Sequence, residues 1–340
     1  MRNWFHFLAA IMLAIAGAIT APADAADVKL LNVSYDVTRE FYQELNPAFA
    51  AFWKEKTGDI VSIQQSHGGS SKQAQSVANG LEADVVTMNQ PSDIDLLFTN
   101  GRLLPENWSA RLPSHSVPYN STIVFVVRAG NPKNIHNWDD LVQPGVSVII
   151  PNPKTSGNGR YSYLAAWGYA LKQPDGNEKS ARAFLTKLFQ NVPVLDTGGR
   201  GASTTFAERK IGDVLLTFEN EAAYLKNEFT NDALEVVVPP VSILAENPVA
   251  WVDHNVKRHQ TEPVARAYLE FLYSDEGQEI AAKHYFRPKS QAILDKYSTR
   301  FPALELFTVH DIAGGWAAAQ KTHFADGGVF DQIYQSNQQN

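Results

Sequence analysis

Three times in this chain a strand-like run gives way, through a turn of glycine and small polar residues, to a helix-patterned run. The turns are His67-Gly68-Gly69-Ser70-Ser71-Lys72, Lys154-Thr155-Ser156-Gly157-Asn158-Gly159-Arg160 and Asp196-Thr197-Gly198-Gly199-Arg200-Gly201. Such alternation specifies an α/β fold, with helices connecting parallel strands. Around the first turn, residues 29–34, 60–63 and 84–88 read as strands. A helix is expected from Thr38, with Phe41, Leu45, Phe49 and Phe52 or Trp53 on one face. Over 71–81, Ala74, Val77, Ala78 and Leu81 recur at helical spacing.

The pattern then breaks and restarts. Pro113 and Pro118 precede a long β run at 121–127, which reads as a strand leaving one domain for another. Strands at 146–150 and 213–218 and helices at 159–172 and 177–189 follow. Val238-Pro239-Pro240-Val241 reads as a second crossing, and the tail is mainly helical at 264–272, 277–282 and 316–324. With 340 residues and about 150 per domain, two domains are expected. Two crossings make them discontinuous: residues 26–112 with 245–340 form one lobe, 113–244 the other, and a cleft lies between.

The first 25 residues are set apart as an address. Arg2 precedes a 13-residue apolar stretch at 7–19, and Ala23-Asp24-Ala25 fits a small-x-small cleavage site. A signal peptide cut after Ala25 and export to the periplasm are therefore expected. The apolar stretch is short of the roughly 20 residues a spanning helix needs. The chain has no cysteine, so thiolate chemistry and disulfides are excluded and an exported chain must be held by its core. Its net charge of -7 argues against nucleic acid as a partner.

Each glycine turn places small residues where the first N–H groups of a helix have no intrahelical partner. A helix start carries roughly half a positive charge, so the combination suits an anion. Thr205 and Glu208 in the third segment have capping-box spacing. No Walker pattern or G-x-G-x-x-G is present, which favours a small tetrahedral anion over a nucleotide. Strand-to-helix turns also use Gly and Ser for purely structural reasons.

Longer motifs sharpen this reading. They are Ser34-Tyr35-Asp36, the run from Ser66 to Ala74, Pro151-Asn152-Pro153-Lys154-Thr155-Ser156-Gly157, Tyr163-Leu164-Ala165-Ala166-Trp167-Gly168, Asp213-Val214-Leu215, Ile243-Leu244-Ala245-Glu246 and Gly315-Trp316. In these the sequence resembles the periplasmic sulfate/thiosulfate-binding proteins of ABC importers, over essentially all of the chain after residue 25. The resemblance implies an α/β, bilobal, type II periplasmic binding-protein fold that closes on a dehydrated oxyanion. It implies donation to the anion from backbone N–H groups at Asp36, Ser70, Gly157, Asn158 and Gly199, and from the Ser156 hydroxyl. Ser71, Arg200 and Phe218 complete the expected site. Phe218 stands where the sulfate-selective members place a Trp whose indole N–H donates to the ligand. The surrounding residues look more like the thiosulfate-binding branch, and an apolar ring edge suits a soft sulfur atom. The same Phe also reads as a core aromatic ending a buried strand. Arg200 is expected to support the loop. The Asp36 carboxylate is expected to point away from the anion and fix its loop through local bonds. The expected partners are the anion and the importer's membrane subunits, with no cofactor, no metal and a monomeric chain.

Two other classes compete. A receptor for phosphate, molybdate or tungstate needs the same kind of turns. An exported serine hydrolase could use Ser70, Ser71 or Ser156 beside the His67-Gly68-Gly69 turn, but there is no G-x-S-x-G elbow and no base assignable by spacing. His67 reads as a structural hydrogen-bonder, and His254 and His259 as an exposed pair between helices.

Overall fold

The computed structural model describes residues 27–338, so the expected signal peptide lies outside the described residues. The chain enters through β1 (Asp27–Tyr35), α1 (Arg39–Thr57), β2 (Ile60–Gly68), α2 (Ser70–Ala78), β3 (Val85–Thr87) and α3 (Pro91–Thr99). It crosses through β4 (Tyr119–Ser121) and β5 (Ile123–Val127) into β6 (Val148–Ile149), α4 (Gly157–Leu171), α5 (Glu178–Gln190), α6 (Gly199–Ser203), β7 (Val214–Phe218), α7 (Glu219–Glu228) and β8 (Glu235–Val237). It returns through β9 (Val241–Ile243), β10 (Ala245–Asn247) and β11 (Val249–Trp251). The tail comprises α8 (Glu262–Phe271), α9 (Asp275–Lys283), β12 (Arg287–Pro288), β13 (Glu305–Phe307), α10 (Val309–Ala313) and α11 (Val329–Gln338), with short helical segments between.

These strands form two four-stranded sheets, β11-β3-β1-β2 and β6-β7-β5-β8. In the first, β1 pairs in parallel with β2 and β3, and its register sets Tyr35 beside Gly68 and Ser34 beside Thr87. Those strand ends lie at one edge, where the first turn begins. Phe41, Leu45 and Phe49 of α1 and Ala74 and Val77 of α2 are buried, as their spacing requires. α1 ends at Gly58, whose φ of 83° allows its N–H to close back on Lys54 O.

The sheets are not purely parallel, which corrects the expectation from alternation. In each sheet a single strand runs against the others: β11 against β3, and β5 against β7 and β8. Both are the strands delivered by a crossing. They enter from the edge at which the parallel strands end, so they must run the other way. The β run expected at 121–127 is split at Thr122, whose hydroxyl donates to Ile243 O at 2.7 Å and ties the outgoing segment to the returning one. β4 also pairs antiparallel with β10 and β12.

The C-terminal helices return to the second sheet's helices. α10 packs on α4 and α11 on α5. Phe330 of α11 meets Phe189 at 5.4 Å, and Asn337 donates to Thr186 O at 3.0 Å. His259 is not half of an exposed pair: its Nδ1 lies 2.9 Å from Asp84 Oδ1 and its Nε2 3.3 Å from Glu82 Oε2.

Candidate functional site

All three glycine turns become helix starts. At α2 the first intrahelical bond runs from Gln73 N–H to Gly69 O at 2.9 Å, so the amides of Ser70, Ser71 and Lys72 precede it. At α4 Ser156 is the N-cap, its hydroxyl oxygen accepting from Gly159 N–H at 3.3 Å. That leaves the hydroxyl proton of Ser156 and the amides of Gly157 and Asn158 ahead of the first bonds. At α6 Gly198 is the N-cap and Ala202 N–H closes on its carbonyl at 3.1 Å, so Gly199 N–H precedes the ladder. The capping box expected at Thr205 does not form. Gly198 starts this helix, which continues through residues 204–208, so Thr205 is interior, and Glu208 instead accepts from the Thr204 hydroxyl at 3.2 Å.

The fold brings these starts together, although they lie far apart in sequence. A methyl group on Gly69 would lie 2.6 Å from Thr155 O and 2.7 Å from Thr197 O, so the first turn touches both others. One on Gly198 would lie 2.3 Å from Asp36 Oδ2, and one on Gly199 3.0 Å from Asn158 Nδ2. The Gly69 contacts are to backbone oxygens and admit glycine alone, whereas those at Gly198 and Gly199 are to side chains. Asp36, Ser70, Ser156, Gly157, Asn158 and Gly199 are buried, whereas Ser71 is half-buried and accepts from Gln90 Nε2 at 3.2 Å. Asn158 is held by donation to Thr217 Oγ1 at 2.9 Å.

Charge at the site is balanced within the protein. Arg200 makes paired hydrogen bonds at 2.8–3.0 Å to Glu40 and Glu221, and its N–H donates to Asp36 Oδ2 at 3.0 Å. Its guanidinium also lies over the Tyr224 ring, 4.3 Å from the centroid. The carboxylates around Arg200 hold its proton more tightly than usual despite burial. Burial pushes the Asp36 and Glu221 carboxyls up, against the pull of Arg200. The Asp36 carboxylate therefore fastens its loop across the cleft to the third turn, a longer-range bond than the local ones expected. Burial holds His67 down at about 4, so its ring is neutral near pH 7, and Nδ1 lies 3.2 Å from Tyr35 O.

Phe218 is fully buried and sits edge-on to Tyr35 at 6.2 Å and Tyr161 at 5.7 Å. It immediately precedes α7, whose Asn220 Nδ2 donates to Val37 O at 2.6 Å. Sequence reasoning missed Glu40, Glu221, Asn220 and Asn89. Asn89 lies between the first and second turns: its N–H donates to Ser70 Oγ at 3.3 Å, and its side chain lies against Gly157. A cavity of about 450 Å³ beside the first and third turns is lined by Asp36, Arg39, Gly69, Lys72, Gly198 and Arg200, among others. A larger one, about 660 Å³, runs along α2 and α3 and includes only Ser71 of the expected site.

The bacterial extracellular solute-binding protein family matches over residues 33–287. The chain belongs to that family. As a solute-binding protein it is 56% identical over 332 residues to the thiosulfate-binding protein of Pseudomonas aeruginosa, covering 98% of this chain and 99% of that one. It is 57% identical over 309 residues to the sulfate-binding protein of Salmonella typhimurium, covering 91% and 94%. Among solved structures it is similar to the sulfate-binding protein SubI of Mycobacterium tuberculosis, with a TM-score of 0.78 and 32% identity over 86% of this chain and 98% of that one. The two α/β lobes and two crossings of this solute-binding protein form the type II periplasmic binding-protein fold.

Proposed function

We propose that this protein is an exported receptor that captures sulfate or thiosulfate between its lobes and delivers it to an ABC importer. The observation that carries this reading is the meeting of three helix starts, with their leading amides, at buried glycine contacts. In the proposal the N–H groups of Asp36, Ser70, Gly157, Asn158 and Gly199 and the Ser156 hydroxyl donate to the anion. Arg200 acts from behind by fixing the third turn, since its guanidinium is taken up by Glu40 and Glu221. Charge-assisted hydrogen bonds contribute about 1.5–3 kcal/mol each, so four to six supply the roughly 8–10 kcal/mol of a micromolar or tighter complex. Donors alone disfavour hydrogen phosphate, whose proton would face another donor and stay unpaired. The similarity to thiosulfate- and sulfate-binding relatives supports the choice of anion.

Phe218 offers no donor, and its buried ring supplies an apolar surface beside the site; both favour thiosulfate, whose terminal sulfur accepts hydrogen bonds poorly. We assign one lobe to residues 26–112 and the chain from 245 up to α10, and the other to 113–244 with α10 and α11, which amends the division expected from the sequence, where all of 245–340 joined the first lobe. The packing of α10 and α11 on α4 and α5 supports grouping those last helices with the second lobe. The proposed periplasmic form is a monomer beginning at Ala26 after signal-peptide cleavage, which N-terminal sequencing of the exported protein would test. Titration calorimetry with sulfate and thiosulfate tests the anion. Sulfate binding at least tenfold tighter than thiosulfate would remove the role given to Phe218.

A further inference from the structure

The buried polar groups around the cleft are satisfied unevenly. Arg200, Asn158 and Ser156 have partners within the protein, but the Asn89 side chain, only 1% exposed, has an Oδ1 with no partner among the described residues. Leaving a buried acceptor unpaired is costly, so the group calls for an explanation. Its surroundings supply one. A methyl group on Gly157 would lie 1.8 Å from Asn89 Oδ1, 2.5 Å from Cγ and 2.7 Å from Nδ2, so the carboxamide is pressed against the first residue of α4. The Asn89 backbone N–H is tied at 3.3 Å to Ser70 Oγ, at the start of α2. Asn89 thus bridges two of the three helix starts, on opposite sides of the cleft.

We propose that Asn89 is a direct, specificity-determining ligand of the bound oxyanion, donating a hydrogen bond from its carboxamide. This rests on the anion reading above. An amide presents a donor or an acceptor to the same point by turning about its last side-chain torsion, at no cost in shape. With a fully ionised anion beside Gly157, the Nδ2 orientation removes the unpaired acceptor from the site and adds a side-chain donor. That donor offsets the one Phe218 cannot provide.

The test uses the whole exported protein, with sodium sulfate as probe because it stays a dianion from pH 5 to pH 8. Wild type is titrated first; if it binds neither sulfate nor thiosulfate, the anion reading fails and not this step alone. Asn89→Ala should weaken sulfate binding about tenfold. Asn89→Asp should weaken it at least a hundredfold at pH 8, where a carboxylate faces the anion. Relative to wild type at the same pH, it should recover at pH 5 as the carboxyl gains a proton and becomes a donor. A merely structural asparagine predicts no such recovery. Independently of any variant, the Asn89 side-chain amide protons of wild type should shift downfield in a ¹H–¹⁵N spectrum when sulfate is added. Affinities within twofold of wild type for both variants at pH 8, or unmoved Asn89 resonances at saturation, would overturn the proposal.

Discussion

Two adjoining regions of the cleft handle charge in opposite ways. Around Arg200, full charges meet full charges: Glu40 and Glu221 each take two hydrogen bonds from one guanidinium, and Asp36 takes the Arg200 N–H. At the three helix starts the groups proposed to meet the anion are uncharged: leading amides, the Ser156 hydroxyl and the Asn89 carboxamide, while the nearby cations Lys154 and Arg160 are paired with Asp326, Asp331 and Asp93. In the proposed site the ionic region needs no ligand, whereas the amide region is completed by one. This division explains how a chain of net charge -7 can hold a dianion. Neutralisation of the protein's own acids uses the cation, and oriented dipoles are left for the anion.

The comparison can be broken first at its ionic side, where the largest effect is expected. Arg200→Ala strands Glu221, whose side chain is fully buried, and breaking such a pair costs about 3 kcal/mol or more. Denaturant unfolding should show that loss. Unchanged stability with abolished anion binding would mean that Arg200 serves the ligand directly. On the amide side, Gly69→Ala forces the first turn away from Thr155 O and Thr197 O. Calorimetry should find binding weakened about a hundredfold, roughly 2.7 kcal/mol, with a much smaller change in unfolding midpoint. A variant that unfolds early but binds normally would place the glycines in the structural half of the comparison. Phe218→Trp should then raise sulfate affinity relative to thiosulfate by about tenfold, read from paired titrations.

How much of this was legible in the sequence follows from range. The turns could be located because each is a local statement: a strand, small residues, a helix start. Ser70, Gly157 and Gly199, named by the family resemblance, lie on those turns, whereas Asp36 lies apart from them, before α1. The ionic network was not legible, because Glu40 and Arg200 are 160 residues apart and nothing in either neighbourhood points to the other. Asn89 was missed for the same reason, since its neighbours Ser70 and Gly157 belong to two separate helix starts. Short strands such as β8, β10 and β11 run three residues each, too few for a period of two to register. The α3 helix had a readable signal, Pro91 at its first position, that the apolar pattern did not reinforce.

The smallest effect concerns pH. Burial holds His67 and His323 at about 4, below their ordinary value near 6.5. Between these values the unfolded chain binds more protons than the folded one, so these two residues contribute stability at pH 7 that is lost as pH falls toward 4. His67→Gln should therefore flatten the acid limb of unfolding midpoint against pH without altering anion affinity at pH 7. An equally steep limb in His67→Gln and His323→Gln would contradict the assignment.

The most direct test of the amide cradle is a calorimetric titration of the exported protein at pH 8 with sulfate, thiosulfate and hydrogen phosphate. The account predicts one site of micromolar or tighter Kd for sulfate or thiosulfate, with hydrogen phosphate at least a hundredfold weaker. Hydrogen phosphate binding as tightly as either would contradict it.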